Sequence, residues 1–112
     1  MKKILFVCSA NLQRSLTAEH YFSKKYRSVE FKSAGTNHKI CAKEGSTPLE
    51  EHHLDWADLV LVMEEKHRTI INQHTEHRYE AITKVLGIPD EFDYYQDTLI
   101  ALLEERAAPF FS

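Results

Sequence analysis

The chain has 112 residues, 43% of them hydrophobic and 28% charged, which suits one compact domain over 1–112 and leaves no room for a second. With 14 Lys and Arg against 17 Asp and Glu the formal net charge is -3, so no general basic field holds nucleic acid or an anionic membrane, and any anion site is local. Two cysteines, Cys8 and Cys41, are too few for a disulfide framework and point to a reducing, cytoplasmic setting.

The first element is the apolar run "KILFV", Lys3 to Val7. With Lys2 and Lys3 ahead of its apolar residues it imitates a signal peptide, but it is about half the needed length before Asn11, Gln13 and Arg14 interrupt it. No apolar stretch approaches the ~20 residues of a membrane span. The run reads as a strand covered on both faces. A helix follows over Ser15 to Tyr26, with Ala18, Phe22 and Tyr26 at fourfold spacing. "VEFKSA" from Val29 is a second strand. The stretch Asn37 to His53 is irregular and reads as a surface loop with one short helix. "DLVLVM", Asp58 to Met63, is a third strand, followed by a helix over Glu64 to Gln73. "TKVLGI" from Thr83 is the fourth strand. The last helix begins at Asp97, an apt N-cap, with Pro109 soon after its end. Strands alternating with helices imply an α/β fold: a single domain with a doubly wound four-stranded parallel sheet and helices on both faces. Ligands of such sheets collect at the carboxyl ends of the strands.

Cys8 to Ser15 is one of those carboxyl-end loops. If it wraps a phosphate or sulfate anion, the backbone N–H groups of Ser9, Ala10, Asn11, Leu12, Gln13 and Arg14 point inward, and the following helix presents its positive end. The same field favours a thiolate at Cys8. Arg14 offers a planar fork for two phosphoryl oxygens. Asn11 sits where a positive φ is tolerated, and Ser15 is placed to hydrogen-bond the Cys8 sulfur. Without glycine or a Gly-Lys-Ser/Thr ending, the loop is not a nucleotide-binding one. Cysteine at a strand end and arginine six residues on also fit a buried thiol beside an unrelated charge. The order of strand, loop and helix, with Asn11 and Ser15 in place, favours an anion loop.

"VCSANLQRS" resembles the V-C-x-G-N-x-C-R-S signature of the low-molecular-weight protein tyrosine phosphatases. "SAGT" at Ser33 to Thr36 and "ADLVLVM" at Ala57 to Met63 resemble two more of that family's segments, in the same order. The chain is similar to a compact branch that lacks part of the segment between them. The resemblance implies a phosphocysteine mechanism, with Cys8 as nucleophile, Arg14 as phosphate clamp, and Asn11 and Ser15 as loop organisers. It also implies a general acid from the late loop, where the family has Asp-Pro-aromatic. The matching stretch here is "IPDEFDYY", which assigns that role to Asp90, with Phe92 in the aromatic's place and Asp93 as the alternative. Ala10 replaces the usual glycine, which requires an ordinary φ there. Gln13 replaces a second loop cysteine, so a protective disulfide within the loop cannot form.

Seven histidines, including His52, His53, His74 and His77, lack a metal-ligand spacing and read as solvated surface. Tyr94 and Tyr95 either flank an aromatic phosphoester or pack on the last helix. Trp56 is expected to be partly buried, and Phe110 and Phe111 either pack on the sheet or form a dimer contact. The function expected is cysteine-dependent hydrolysis of phosphomonoesters, protein phosphotyrosine or small aromatic phosphomonoesters, without metal or cofactor. Two alternatives stand: a phosphate-loop module that binds phosphorylated partners without turnover, and an arsenate reductase, which would need Cys41 in a disulfide relay.

Overall fold

The computed structural model describes residues 2–112. Four strands form one all-parallel sheet: β1 (Lys2–Cys8), β2 (Val29–Gly35), β3 (Leu59–Val62) and β4 (Thr83–Val85), in the order β2-β1-β3-β4. The helices are α1 (Arg14–Lys25), α2 (His38–Glu44), α3 (Glu51–Trp56), α4 (Glu65–Thr75) and α5 (Asp97–Arg106), with 3-10 turns at Glu80–Ile82 and Ala108–Phe110.

β1 is central and buried on both faces, which is why its sequence is apolar without alternation. Ile4, Phe6 and Cys8 face a core built with Ala18 and Phe22 of α1 and Leu99 and Leu103 of α5. Leu5 and Val7 face the other core, with Val60, Val62, Leu54 and Ile71. Phe111 closes the first core, its ring edge-on to Phe6, Phe22, Phe31 and Tyr26. The C-terminal aromatics therefore pack on the sheet, and Trp56 is partly buried at the end of α3, as expected.

After β1 the chain winds one way to β2, then crosses back to β3 on the other side. The loops leaving β1 and β3 therefore diverge, and a crevice opens between their carboxyl ends, the place such sheets reserve for ligands. Cys8 ends β1 opposite Gly35, and Val7 pairs with Val62. Gly35 is required by close approach: a Cβ there would lie 2.6 Å from the Ser9 carbonyl oxygen and 2.7 Å from Cys41 Sγ.

The structure corrects several expectations. Asn37 to His53 holds two helices. Asn37 caps α2, its Oδ1 accepting from Ile40 N–H at 3.1 Å, and Gly45 ends it at φ 73°. Neither helix shows an apolar stripe, because α2 buries only Cys41 and α3 only His53 and Leu54. Cys41, in the same stretch, is fully buried. Gln96, with extended backbone, is the N-cap of α5, so Asp97 is its first helical residue. Tyr94 and Tyr95 pack on α1 rather than α5: Tyr94 OH lies 2.7 Å from His20 Nδ1, and Tyr95 N–H donates to Thr17 Oγ1 at 2.8 Å.

Candidate functional site

The residues between Cys8 and Arg14 curl over the carboxyl end of β1. Asn11 makes the turn possible at φ 56°, while Ala10 keeps a negative φ and needs no glycine. The loop is held from outside. Thr36 N–H and Asn37 N–H donate to the carbonyls of Cys8 and Ser9, each at 2.9 Å, and Ser46 Oγ donates to the Ala10 carbonyl at 2.6 Å. Cys41 Sγ lies 3.5 Å from that same carbonyl oxygen, behind the loop.

With its carbonyls engaged outward, the loop keeps donors for its interior. Among the described residues the N–H groups of Ala10, Leu12 and Gln13 have no protein acceptor, and Gln13 places no side-chain cap on α1. Unspent N–H groups beside a helix N-terminus form an anion nest. Cys8, only 3% exposed, lies beneath them.

One chain of hydrogen bonds orients the sulfur's neighbour. Thr47 N–H donates to Asn11 Oδ1 at 3.2 Å, which turns Asn11 Nδ2 toward Ser15 Oγ at 2.8 Å. Ser15 Oγ thereby accepts from Asn11 and shares a hydrogen bond with Cys8 Sγ, 2.9 Å away, in which the hydroxyl is the donor once the sulfur is a thiolate. Asn11 N–H adds a second donor to the sulfur at 3.3 Å.

Arg14 is 2% exposed, an expensive place for a charge without a partner. Its Nη1 donates to Glu64 Oε1 at 2.6 Å and to the Ile88 carbonyl at 2.8 Å. Burial alone would raise the Glu64 carboxyl, but the hydrogen bond and charge of Arg14 outweigh it and hold that carboxyl below its usual range. Asp90 Oδ1 stands 3.8 Å from Arg14 Nε, with its side chain largely exposed. Asp93 makes its hydrogen bond within its own turn, its N–H donating to Gln96 Oε1. Phe92 packs against the α1/α5 core.

Three participants were missed in the sequence: Glu64, His67 and Thr47. His67 is fully buried, and His53 nearly so, against the expectation of solvated histidines. His67 Nδ1 accepts from Glu64 N–H at 3.0 Å, and its Nε2 lies 2.9 Å from Ser9 Oγ. A signal did exist, since Glu64-x-x-His67 directly after an apolar strand has the spacing of a capping box. Among the described residues no three His, Cys, Asp or Glu side chains converge as metal ligands, and no helix is long and apolar enough to cross a membrane. A groove lined by Thr36, Leu49, Leu54, Ile70 and His74 lies between α3 and α4 and includes neither Cys8 nor Arg14.

A family model described as low molecular weight phosphotyrosine protein phosphatase matches residues 3–97. Comparison with curated proteins returns no match. Among solved structures, a YwlE mutant from Bacillus subtilis is 26% identical, with each chain covered over 100% and a TM-score of 0.76. The YwlE arginine phosphatase from Geobacillus stearothermophilus is 28% identical, covering 98% of this chain and 95% of that one, with a TM-score of 0.70. Vibrio vulnificus Wzb, in complex with benzylphosphonate, is 26% identical, covering 97% and 96%, with a TM-score of 0.77.

Proposed function

The chain belongs to the low molecular weight phosphotyrosine protein phosphatase family, and from that premise we propose that it hydrolyses phosphomonoesters, protein phosphotyrosine first among them, through a phosphocysteine at Cys8. The observation that carries this reading is the buried Cys8 sulfur, with Ser15 Oγ at 2.9 Å and Asn11 N–H at 3.3 Å, under a ring of unspent N–H donors beside Arg14. Each part has a step to serve.

The phosphoryl group of the substrate sits in the loop on the N–H groups of residues 9–15. Arg14 spends Nη1 on Glu64 and Ile88, which leaves its Nε and Nη2 edge for two phosphoryl oxygens. Cys8 Sγ attacks phosphorus in line with the ester oxygen; the S–P bond forms as the P–O bond breaks, and Asp90 gives its proton to the departing oxygen. Water then attacks the phosphocysteine and passes a proton back to Asp90. The sulfur leaves as thiolate, stabilised by the hydrogen bonds of Ser15 and Asn11, and inorganic phosphate is released. Because Arg14 and the N–H groups supply the positive charge, the chemistry requires no metal or cofactor. Asp90 is favoured over Asp93 as the acid because its carboxylate stands beside Arg14. A reducing, cytoplasmic setting is part of this proposal, since the nucleophile must stay reduced, and two free thiols accord with it. Cys41, buried behind the loop on backbone carbonyls, favours hydrolysis over an arsenate-reducing relay.

The test is phenolate release from p-nitrophenyl phosphate, without metal and with reductant. Wild type turns over, Cys8→Ser abolishes turnover, Asp90→Asn lowers kcat by roughly 10²- to 10⁴-fold, and Arg14→Lys lowers it by about 10² or more. No turnover by a folded wild type overturns the phosphatase reading and leaves an anion-binding module. A second substrate reading, phosphoarginine, is favoured by the 28% identical arginine phosphatase; the aromatic phosphonate bound to Wzb, at 26% identity, favours phosphotyrosine. Peptides carrying each group, compared by kcat/KM, decide between them.

A further inference from the structure

The N-terminus of α4 faces the loop across the crevice between β1 and β3. His67 there is fully buried, and both ring nitrogens are engaged. Since Nδ1 accepts the Glu64 N–H, Nε2 carries the proton, and it donates to Ser9 Oγ. Glu64 in turn accepts from Arg14. The ring therefore stands between Ser9, which follows the proposed nucleophile, and the backbone N–H of Glu64, whose carboxylate orients the guanidinium at the loop's far end.

Within the molecule there is a counterpart. At the start of α3, Glu50 N–H donates to His53 Nδ1 at 2.9 Å, the same local cap. No hydrogen bond from His53 to the loop accompanies it among the described residues. The cap alone is thus a helix-terminus device, and the Nε2 bond to Ser9 sets His67 apart.

We propose that His67 is a positioning residue of the phosphate loop, a single imidazole that ties both ends of residues 8–14 to α4, Ser9 directly and Arg14 through Glu64. The inference rests on the phosphatase reading of the loop. Burial, aided by the charge of Arg14, pushes the His67 pKa down to about 4, so the ring keeps one donor and one acceptor through mildly acidic conditions. Small displacements of a group that grips a reacting phosphoryl are costly in rate, so a side chain that touches no substrate still governs kcat.

The variants separate the two arms. Asn keeps an acceptor near the position of Nδ1 and loses the reach to Ser9; Gln keeps a donor near the position of Nε2. His67→Asn is expected to lower kcat on p-nitrophenyl phosphate and weaken binding of inorganic phosphate, read by isothermal titration, by roughly 10- to 100-fold. Ser9→Ala should reproduce that loss, and the double variant should be no worse than either single one. His67→Gln should recover part of it, and His53→Asn should lower only the thermal midpoint. His67→Asn with wild-type kcat and phosphate affinity per folded molecule, whatever its thermal midpoint, would overturn the proposal, as would losses that multiply in the double variant. Should His67→Asn fail to fold, Ser9→Ala decides, wild-type values there overturning it. A wild type that binds phosphate without turnover would fail the phosphatase reading alone, since the phosphate affinities still judge the role of His67.

Discussion

Asn11 meets two demands that few residues meet together: a backbone at φ 56° and a side chain that accepts from Thr47 while donating to Ser15. Both the turn and the Cys8–Ser15 contact were legible, because they depend on residue types inside one short loop. Glu64 and His67 were not, because their partners Arg14 and Ser9 lie 50 and 58 positions away. The buried imidazoles also set an acid limit to stability. His67 titrates near 4 in the fold against 6.5 in the open chain, and burial pushes His53 down as well. Below about pH 6.5 the unfolded chain takes a proton that the fold refuses until about pH 4, so the stabilisation is complete above 6.5 and is lost as pH falls through that window. For His67 this reaches up to about 3 kcal/mol at the acid end. Urea midpoints at about pH 7 and pH 4.5 should fall in wild type and fall less in His67→Gln; parallel declines would show that the imidazole is not the group responsible.

Among the elements, β1 and β3 were readable as near-continuous apolar runs since both of their faces are covered. The helices α2 and α3 were hidden, being only 7 and 6 residues long with one or two buried positions each; caps, rather than periodicity, define them. The end of α4 carries visible strain. Glu76 and His77 both adopt the left-handed region, at φ 52° and 61°, in a turn that contains no glycine. Left-handed backbone costs an ordinary residue roughly 1–2 kcal/mol, and glycine is the usual occupant of that position after a helix. Replacing Glu76 by glycine should therefore stabilise the protein by about 1 kcal/mol after the extra entropy of the unfolded glycine is counted. The readout is the denaturation midpoint, which should rise with an unchanged m-value; an unchanged or lower midpoint would mean that the turn is not strained.

At the scale of the whole molecule, the alternation of strands and helices was enough to anticipate a parallel sheet with ligands at its carboxyl edge. It did not reveal which chain segments would meet there. Residues 36–37, 46–47, 64–67 and 88–90 all reach the loop that begins at Cys8, and only the crossing between β2 and β3 brings them together. This convergence makes two almost equally buried thiols chemically unlike. Cys41 is sealed behind backbone carbonyls, whose partial charge is negative, whereas Cys8 lies under N–H groups, whose partial charge is positive. Access to Cys8 is thus graded by the charge of the visitor. Iodoacetate should carboxymethylate one cysteine per folded chain, Cys8, faster than neutral iodoacetamide alkylates it, and inorganic phosphate should protect it. Equal labelling of both thiols, as read by peptide mass, would show that the loop does not sort reagents by charge. A thiol guarded in this way is a handle for covalent ligands that combine an anionic head with a modest electrophile.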